Sequence, residues 1–596
     1  MHFDLLKGAW ILVTFFFIFF WLPARMRLGQ RSAFPPLTLA RGLLRTVLCV
    51  VVAVFVLASI RALGALPLLC LAAGALAFPW LRAHSWMSRN MVLDLQARSL
   101  HLLRAIEFSP AVLEVVRRVG RRFVAGLLGK VRLRKWLGVL CSHGAPVLLV
   151  AVVVAVTCIV RYGHALRELR FDQPDQYVAL LRARELLLNL HAPGRPLVFP
   201  SVIAATSLLS ETDPMEVARF VAPLAGVFVV AALGLLTGAL TRLGIPALAA
   251  MYCLGAHAFP PVVAASRWSP SFWHKVLPVI EGSPAVARAS TEFEFGLLFL
   301  LLGLVFLADW RRSSSWNSLL DVACCLVLVG IVSQLLLLVS VAVSAALLIR
   351  PLLALPACVA LCYGGAMLLT WAGAGLDNDA PMIMPVASAI LAGCGVALVE
   401  AMAIQAMGKA GQAVVLAACF AIAIAWLQPN PGGGQYLEYD TAARKALEIA
   451  YKFPRLTWRA VAPVEQLAET LGAGSYEDLA GFVDKYETQV ARPDFRFSSP
   501  RQDLFIFVEK RPFQMFSTEP SSVLFPVLTD ATYRSYRSPA GRASLEAAAL
   551  QLCETYRRNN PDTEVYFEDE NLRIYHIGQR ETDMNRATLV SSATGP

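Results

Sequence analysis

The sequence predicts a polytopic α-helical membrane protein with a C-terminal α/β domain, and two observations carry this prediction. The 596 residues are 57% hydrophobic and only 16% charged, and the mean hydropathy of +0.58 lies far above that of a typical soluble domain. Apolar runs long enough to cross a bilayer recur from the N-terminus to Leu427 and then stop. We therefore expect about twelve spans, followed by a soluble region.

The spans are read from the apolar runs and their flanks. The first run, Trp10 to Leu22, is followed by Pro23 and arginines instead of a small-residue cleavage site, so we expect it to be retained. A count of twelve requires that residues 318–349 form two short spans divided near Ser333 and Gln334. The other spans are expected near residues 46–60, 64–81, 144–160, 217–240, 244–264, 293–309, 351–373, 384–401 and 411–427.

The distribution of Lys and Arg sets the predicted orientation. Residues 1–430 hold 34 Lys and Arg against 19 Asp and Glu, whereas residues 431–596 hold 19 against 23. The basic segments Arg25 to Arg45 and Arg82 to Lys135 are expected on the cytoplasmic side, where they meet anionic lipid head groups and no nucleic acid. Both termini then face outside. We expect an integral protein of a bacterial inner membrane, with the C-terminal domain external.

Four regions follow from these patterns. They are N-terminal spans with basic cytoplasmic surface helices (1–140), a transmembrane core with external loops (141–427), the linker QPNPGGG (428–434) and an external α/β domain (435–596). In the last region, helices are predicted at Tyr439–Lys452, near 464–472, near 476–488 and at Gly541–Arg558, and strands at Leu456–Ala462, Leu504–Glu509 and the hairpin TEVYFEDENLRIYHI. Its sequence shows no phosphate loop, zinc spacing or nucleophile elbow. We expect this domain to bind the acceptor or support the loops.

Two carboxylates stand close together in RFDQPDQY, Arg170 to Tyr177, on the external side of this topology. Pro174 suits a first helical turn, and Asp172 and Asp175 stand where a helix N-terminus favours acidic side chains. A helix cap is one interpretation of both. The following helix could lie along the membrane surface, and its predicted apolar side holds Tyr177, Leu180, Leu181, Leu187 and Leu188, with Arg184 as the exception.

The residues around this stretch carry a family resemblance. The succession DQYVALLRARELLLN, GRPLVFPSVIAATSLLS, ETDP and a long span resembles the first external loop of the GT-C superfamily of integral membrane glycosyltransferases. Asp175, any residue, Tyr177 is most similar to the oligosaccharyltransferase branch, where an acid in that setting helps to bind a divalent metal and to orient the acceptor. The likeness covers roughly residues 144–427.

A second stretch, SRWSPSFWHKV from Ser266 to Val276, is similar to the next external loop of that branch. The branch has two acids there, and this chain has His274 and Val276 in their places. The WWDYG signature of the branch is also absent from the C-terminal region of this sequence. These departures weaken the expectation of protein glycosylation and of a metal requirement.

The resemblance implies transfer of a sugar or glycan from a polyprenyl-phosphate or diphosphate donor to a lipid, glycan or protein acceptor outside the membrane. Asp175 is then the candidate acceptor-orienting carboxylate or catalytic base, and Asp172 caps its helix and assists. The leaving phosphate needs cationic and hydrogen-bonding partners more than a proton. Candidate substrate-binding residues on the external side are Arg170, Arg267, His274, Lys275, Glu281 and Arg288.

No cofactor is expected to be required. The external His164, His191 and His274 lack close ligand spacing, so we expect no transition metal, and a loosely held divalent cation at the first loop stays open. A transporter or flippase of a lipid-linked substrate is the alternative class. Such proteins carry ionisable residues near mid-membrane, whereas the predicted mid-span positions here are nearly free of charge, with Glu400 near a span end. A glycan ligase or polymerase shares substrates with the first class.

Overall fold

The computed structural model of the chain describes most of the predicted helices and the C-terminal domain. The described residues are 2–25, 35–71, 150–159, 161–171, 174–190, 194–241, 244–255, 291–349, 380–425, 438–463, 465–513 and 539–579. The predicted span at 351–373, the basic segment Arg82 to Lys135 and the domain boundaries at 140, 427 and 434 lie outside them. The chain forms two compact units, one of Met1–Leu68 with Val156–Pro596 and one of Leu69–Ala155. The contacts that position the site lie within the first unit.

The described membrane part is built of helices. They are α1 (His2–Phe16), a π-helical turn (Phe17–Trp21), α2 (Leu22–Arg25), α3 (Pro35–Ser59), α4 (Pro174–Leu187), α5 (Val198–Ser210), α6 (Pro214–Thr241), α7 (Gly244–Gly255), α8 (Thr291–Ser313), α9 (Trp316–Val332), α10 (Gln334–Ile349), α11 (Ala380–Met407) and α12 (Lys409–Ala425). Among the described residues, three stretches are long and apolar enough to cross a membrane: Leu37–Ser59, Pro214–Thr241 and Thr291–Ser313. The described residues therefore confirm a mostly helical protein and contain three candidate membrane spans.

Large apolar side chains on the outer faces of several helices support the same conclusion. They include Leu6 and Val13 of α1, Val52 and Val56 of α3, and Leu320 and Val327 of α9, all exposed. A soluble protein rarely leaves so many large apolar groups on adjoining helices in contact with water. Such apolar faces are suited to contact with lipid tails. A helix can lie in lipid because its backbone N–H and C=O groups are hydrogen-bonded within the helix.

The division predicted within residues 318–349 is confirmed. Helix α9 ends at Val332, and α10 begins at Gln334, because Ser333 takes an extended conformation with φ −152° and ψ 129°. Both helix ends pack against α8 at Gly296, where an added Cβ would lie 2.6 Å from the Leu336 side chain. Whether each half crosses the membrane, and the count of twelve spans, stay predictions.

A buried ionic network joins α3, α8 and α9 at one end of the helices. Arg41 Nε lies 2.8 Å from Asp321 Oδ2, and Arg45 Nη2 lies 2.7 Å from Asp321 Oδ1. Arg41 also pairs with Asp309 at 2.8 Å and donates to Ser318 Oγ. The sequence pattern placed Arg41 and Arg45 before a span that begins at residue 46, but α3 begins at Pro35. The helix includes both arginines because acidic partners from other helices neutralise them.

The other end of the helices gathers the N-terminal helix, α6 and the C-terminal domain. Lys7 Nζ lies 3.0 Å from Glu216 Oε1 and 4.2 Å from the centre of the Tyr451 ring. The Tyr451 hydroxyl donates to Glu216 Oε2 at 2.8 Å. The start of α1 and the start of α6 therefore lie at the same end as the C-terminal domain, the arrangement that the predicted topology requires.

The C-terminal domain is a small α/β domain with a five-stranded mixed sheet. Its elements are α13 (Asp440–Lys452), β1 (Trp458–Ala462), α14 (Glu465–Thr470), β2 (Ser475–Asp478), α15 (Leu479–Tyr486), β3 (Asp503–Glu509), α16 (Pro539–Asn559), β4 (Glu564–Glu568) and β5 (Leu572–Gly578). The strand order is β2-β1-β3-β5-β4. β1 runs parallel to β2 and β3, and β5 runs antiparallel to β3 and β4. Its core includes Trp458, Phe505, Phe507 and Ile574, all buried.

One prediction for this domain is wrong in part. Residues 476–488 were predicted as a helix, but Ser475–Asp478 form β2 and the helix α15 begins only at Leu479. Asp478 caps that helix, because its side chain accepts hydrogen bonds from the backbone N–H groups of Ala480 and Gly481. The residues before it pair with β1, a long-range contact that local periodicity does not report.

Candidate functional site

The predicted base, Asp175, lies in the first turn of α4, directly after Pro174. The Asp175 side chain is half-buried, and burial raises the pKa of its carboxyl above the usual value. Its carboxylate makes no hydrogen bond or ion pair to any residue that the structure describes. Among the described residues, Asp175 therefore shows no side-chain cap, and its position in the first turn still favours the helix dipole. Asp172 lies outside the described residues.

The buried face of α4 packs on protein, and the placement of this helix along the membrane surface stays a prediction. Tyr177 is fully buried, and its hydroxyl donates to Glu438 Oε1 of the C-terminal region at 2.5 Å. Arg184 is buried too, where it pairs with Asp213 at 2.8 Å and donates to the Leu471 carbonyl at 3.0 Å. Leu188, predicted on the apolar side, is 39% exposed. The buried pair explains how an arginine interrupts an apolar face.

Arg170, a predicted substrate-binding residue, is held by several bonds just before α4. Its Nε lies 2.5 Å from Glu168 Oε2, and its Nη1 donates to the Glu438 carbonyl at 3.1 Å. The Arg170 carbonyl lies 2.7 Å from His164 Nε2. Its guanidinium is therefore oriented by its neighbours and keeps a fixed direction.

A cleft lies beside this segment, between the first loop and the starts of α6 and α8. It has a volume of about 50 Å³, room for a few water-sized atoms. Its lining includes Arg161, His164, Arg170, Phe171, Gln176, Arg219, Thr291 and Glu294. Three arginines and one glutamate line the cleft, and Glu168 pairs with Arg170 beside it, so cationic side chains outnumber carboxylates there. Asp175 immediately precedes the lining residue Gln176 in the first turn of α4.

Tertiary contacts fix the cationic groups of the cleft. Arg161 Nη1 pairs with Glu294 Oε1 at 2.8 Å, and its side chain lies on Gly226, where a Cβ would be 2.7 Å from the guanidinium carbon. Arg219 Nε donates to the Ala165 carbonyl at 2.5 Å. Arg161 Nε is buried and makes no hydrogen bond to a described residue. A bound anion would supply the acceptor that this donor lacks.

The first turn of α8 is tied to α5 by an unusual cap. Helix α5 begins after Leu197, which has no capping side chain. The Glu292 carboxylate takes that role from a distance: Oε1 accepts from Val198 N at 2.8 Å and Oε2 from Phe199 N at 2.7 Å. This bidentate bond fixes Thr291 and Glu294, which line the cleft, relative to α5.

The sequence and the structure agree on only part of this site. Arg170 and Asp175 were predicted, and the structure places both in the segment next to the cleft. The predicted residues Arg267, His274, Lys275, Glu281 and Arg288 lie outside the described residues. Sequence reasoning missed Arg161, Arg219 and Glu294. A usable signal existed, since ionisable side chains at the ends of apolar spans are functional candidates by default.

Within the described residues, no group of three or more His, Cys, Asp or Glu side chains is close enough to hold a metal ion. The cleft lining includes three arginines, whose charges repel a metal ion. That no metal is required stays a prediction.

Comparison with known proteins adds no family to this description. No family model matches the chain, and a comparison with curated proteins gives no match either. The functional argument therefore rests on the residues of the site and on the membrane helices that carry it.

Proposed function

We propose that the protein is a membrane glycosyltransferase of the GT-C type, with about twelve spans, that moves a sugar or glycan from a polyprenyl-phosphate-type donor to an acceptor on the external face. One observation carries the proposal. A half-buried carboxylate without a described partner, Asp175, stands next to an arginine-lined cleft at one end of apolar helices. Such an end is where the phosphate of a membrane-embedded lipid is located.

The chemistry of the two parts is complementary. The leaving group of a polyprenyl-phosphate sugar is a phosphate, which gains most from charge-assisted hydrogen bonds, and arginine supplies two at a time. The incoming hydroxyl has a high pKa, so a carboxylate within about 3 Å is needed to orient it and to accept its proton. The cleft volume of about 50 Å³ suits a few phosphate oxygens. The sugar and the lipid chain would lie outside it, towards α4 and the bilayer.

The direct test uses the purified full-length protein in lipid nanodiscs with a synthetic polyprenyl-phosphate sugar that carries a radioactive label. Mass spectrometry of the purified protein for a bound polyprenyl-linked glycan selects the donor. We expect label to move from the lipid to a water-soluble or lipid acceptor. Absence of transfer with the donor that co-purifies, in every acceptor class supplied, would reject the proposal.

A substitution in the cleft gives a second test. Arg219→Gln keeps the hydrogen bond to the Ala165 carbonyl within reach but removes a charge from the cleft. We expect kcat/KM for the donor to fall by about 100-fold or more, since loss of one donor to a developing anion costs about 100- to 1,000-fold. Arg182→Gln is the matched control, because Arg182 of α4 is exposed and pairs only with Glu185 among the described residues. Equal turnover of both variants would exclude Arg219 from the site.

One observation favours the alternative of a transporter or flippase. Glu400 is fully buried in α11, which continues to Met407, so this carboxylate lies about 10 Å inside the helix end instead of at it. Gln412 donates to its Oε1 at 2.8 Å, and its Oε2 is buried without a hydrogen bond to a described residue. A buried membrane carboxyl of this kind is typical of proton-coupled transport.

Glu400→Gln distinguishes the two classes. The amide keeps the size of the side chain and a partner for Gln412 but cannot change its charge. A glycosyltransferase should keep its turnover within about twofold, because Glu400 is remote from the proposed proton transfer. A coupled transporter should lose pH-driven uptake of its substrate into proteoliposomes. Loss of pH-driven uptake in Glu400→Gln, with no glycan transfer by the wild-type protein, would favour the transporter class.

A further inference from the structure

The start of the C-terminal domain is hydrogen-bonded to the segment that precedes α4. The Asp440 carboxylate accepts hydrogen bonds from the backbone N–H groups of Leu169 at 2.5 Å and Arg170 at 3.3 Å. Arg444 Nη2 donates to the Arg167 carbonyl at 2.9 Å. The Glu438 carbonyl accepts from Arg170 Nη1 at 3.1 Å. Three residues of one short segment thus fix both the backbone and the guanidinium of the predicted phosphate-binding residue.

The strongest link is buried between Tyr177 and Glu438. Both side chains are fully buried, and the tyrosine hydroxyl donates to Glu438 Oε1 at 2.5 Å. Gln466 Nε2 donates to the other carboxylate oxygen at 2.5 Å. The backbone N–H of Phe171 donates to the tyrosine hydroxyl at 3.3 Å. Burial and the nearby Glu438 charge raise the pKa of Tyr177 well above its usual value, so it stays a proton donor in this bond.

These contacts reach the proposed base through the helix. Tyr177 follows Asp175 by two residues in the first turn of α4, a rise of about 3 Å along the axis. A rotation or shift of this turn therefore displaces the Asp175 carboxylate directly. Misplacement of a reacting group by about 1 Å can cost about 100-fold in rate.

We infer that Glu438 is a positioning residue, which sets the catalytic turn through Tyr177 and Arg170 so that the C-terminal domain holds the site in its active geometry. This inference rests on the proposed function. It assigns the domain a role in turnover beyond binding an acceptor. Glu438 itself touches no substrate in this scheme, because it is fully buried behind Tyr177.

The test compares two tyrosines of the same kind in the full-length protein. Tyr177→Phe removes the bond to Glu438. Tyr575→Phe is the matched control, because Tyr575 of β5 is also fully buried and donates to a glutamate, Glu554, at 2.6 Å. Both variants lose one hydrogen bond to a carboxylate, but Glu438 is fully buried and Glu554 is 30% exposed, so Tyr177→Phe should lose at least as much stability. Turnover is therefore compared at a temperature at which both variants are folded. We expect kcat to fall about 10-fold or more in Tyr177→Phe, with the donor KM within about twofold, and to stay near wild type in Tyr575→Phe.

Hydrogen exchange supplies a readout that is independent of activity. In Tyr177→Phe, peptides that cover residues 165–180 should exchange at least about 10-fold faster, since the Phe171 N–H loses its acceptor. Tyr575→Phe should leave that segment unchanged. Glu438→Gln is the second variant: added to Tyr177→Phe it should lower kcat little further, because the two residues act through one bond.

Several outcomes would overturn the positioning role of Glu438. Equal kcat for Tyr177→Phe and the control, or an unchanged exchange rate at 165–180, overturns the positioning role. Independent, multiplicative effects of Tyr177→Phe and Glu438→Gln overturn it as well. If the wild-type protein transfers no glycan, the proposed function fails. The exchange comparison would then still decide whether the Tyr177–Glu438 bond holds the loop.

Discussion

Asp175→Asn is expected to lower the turnover number by about 100-fold or more, since it keeps the size of the side chain and removes the base. The measurement is glycan transfer by the purified variant at saturating donor. The control is Glu185→Gln, which neutralises a carboxylate in the same helix that pairs with Arg182 at the surface. Asp172→Asn should do less harm, because asparagine is also a good helix cap. Wild-type turnover in Asp175→Asn would reject the base assignment.

Burial of the Asp175 carboxyl sets the pH dependence that we expect for wild-type activity. Because burial raises the pKa of Asp175, the acid limb of kcat/KM should lie above the ordinary aspartate value of about 3.9. Activity should fall as the pH drops through that raised pKa, and Asp175→Asn should lack this limb. The contribution to stability of a carboxyl whose pKa is raised by folding is fully present below the unfolded pKa and is lost as the pH rises through the folded pKa. At pH 7 the variant should therefore be at least as stable as wild type.

Asp321→Asn is expected to destabilise the fold by about 3–5 kcal/mol, because it removes the charge of a buried carboxylate shared by the buried Arg41 and the partly buried Arg45. Asp321 is fully buried, with Arg41 and Arg45 both within 2.8 Å of its oxygens. The two arginines are one helical turn apart in α3 and would repel each other without it. The midpoint of thermal unfolding in detergent measures the loss.

Asp309→Asn is the matched control for that experiment. Asp309 pairs with Arg41 at 2.8 Å, but its side chain is 30% exposed, so water can replace part of the lost interaction. We expect the midpoint to shift much less than in Asp321→Asn. An equal shift of the midpoint in both variants would show that the network acts through its total charge. No shift in either variant would show that the network does not stabilise the fold.

Much of the fold follows from the sequence, because hydropathy and helix signals act over short distances. The apolar runs predict the helices at 46–60, 217–240, 293–309 and 411–427, each of which the structure contains with longer or shifted ends. Pro174 marks the start of α4. The polar pair Ser333 and Gln334 marks the break between α9 and α10. Such signals depend on the residue itself and its immediate neighbours.

The sequence by itself determined a helical membrane protein, an α/β domain after residue 434 and the helix that carries Asp175. Only the tertiary structure decided what surrounds that helix. Arg161 and Glu294 stand 133 positions apart and form one ion pair, and Tyr177 bonds to Glu438 across 261 positions. Tertiary contacts also decided that residues 475–478 form a strand and that Arg184 is buried. Periodicity reports which face of a helix is apolar, but the partner of a buried polar group is set by packing between segments remote in sequence.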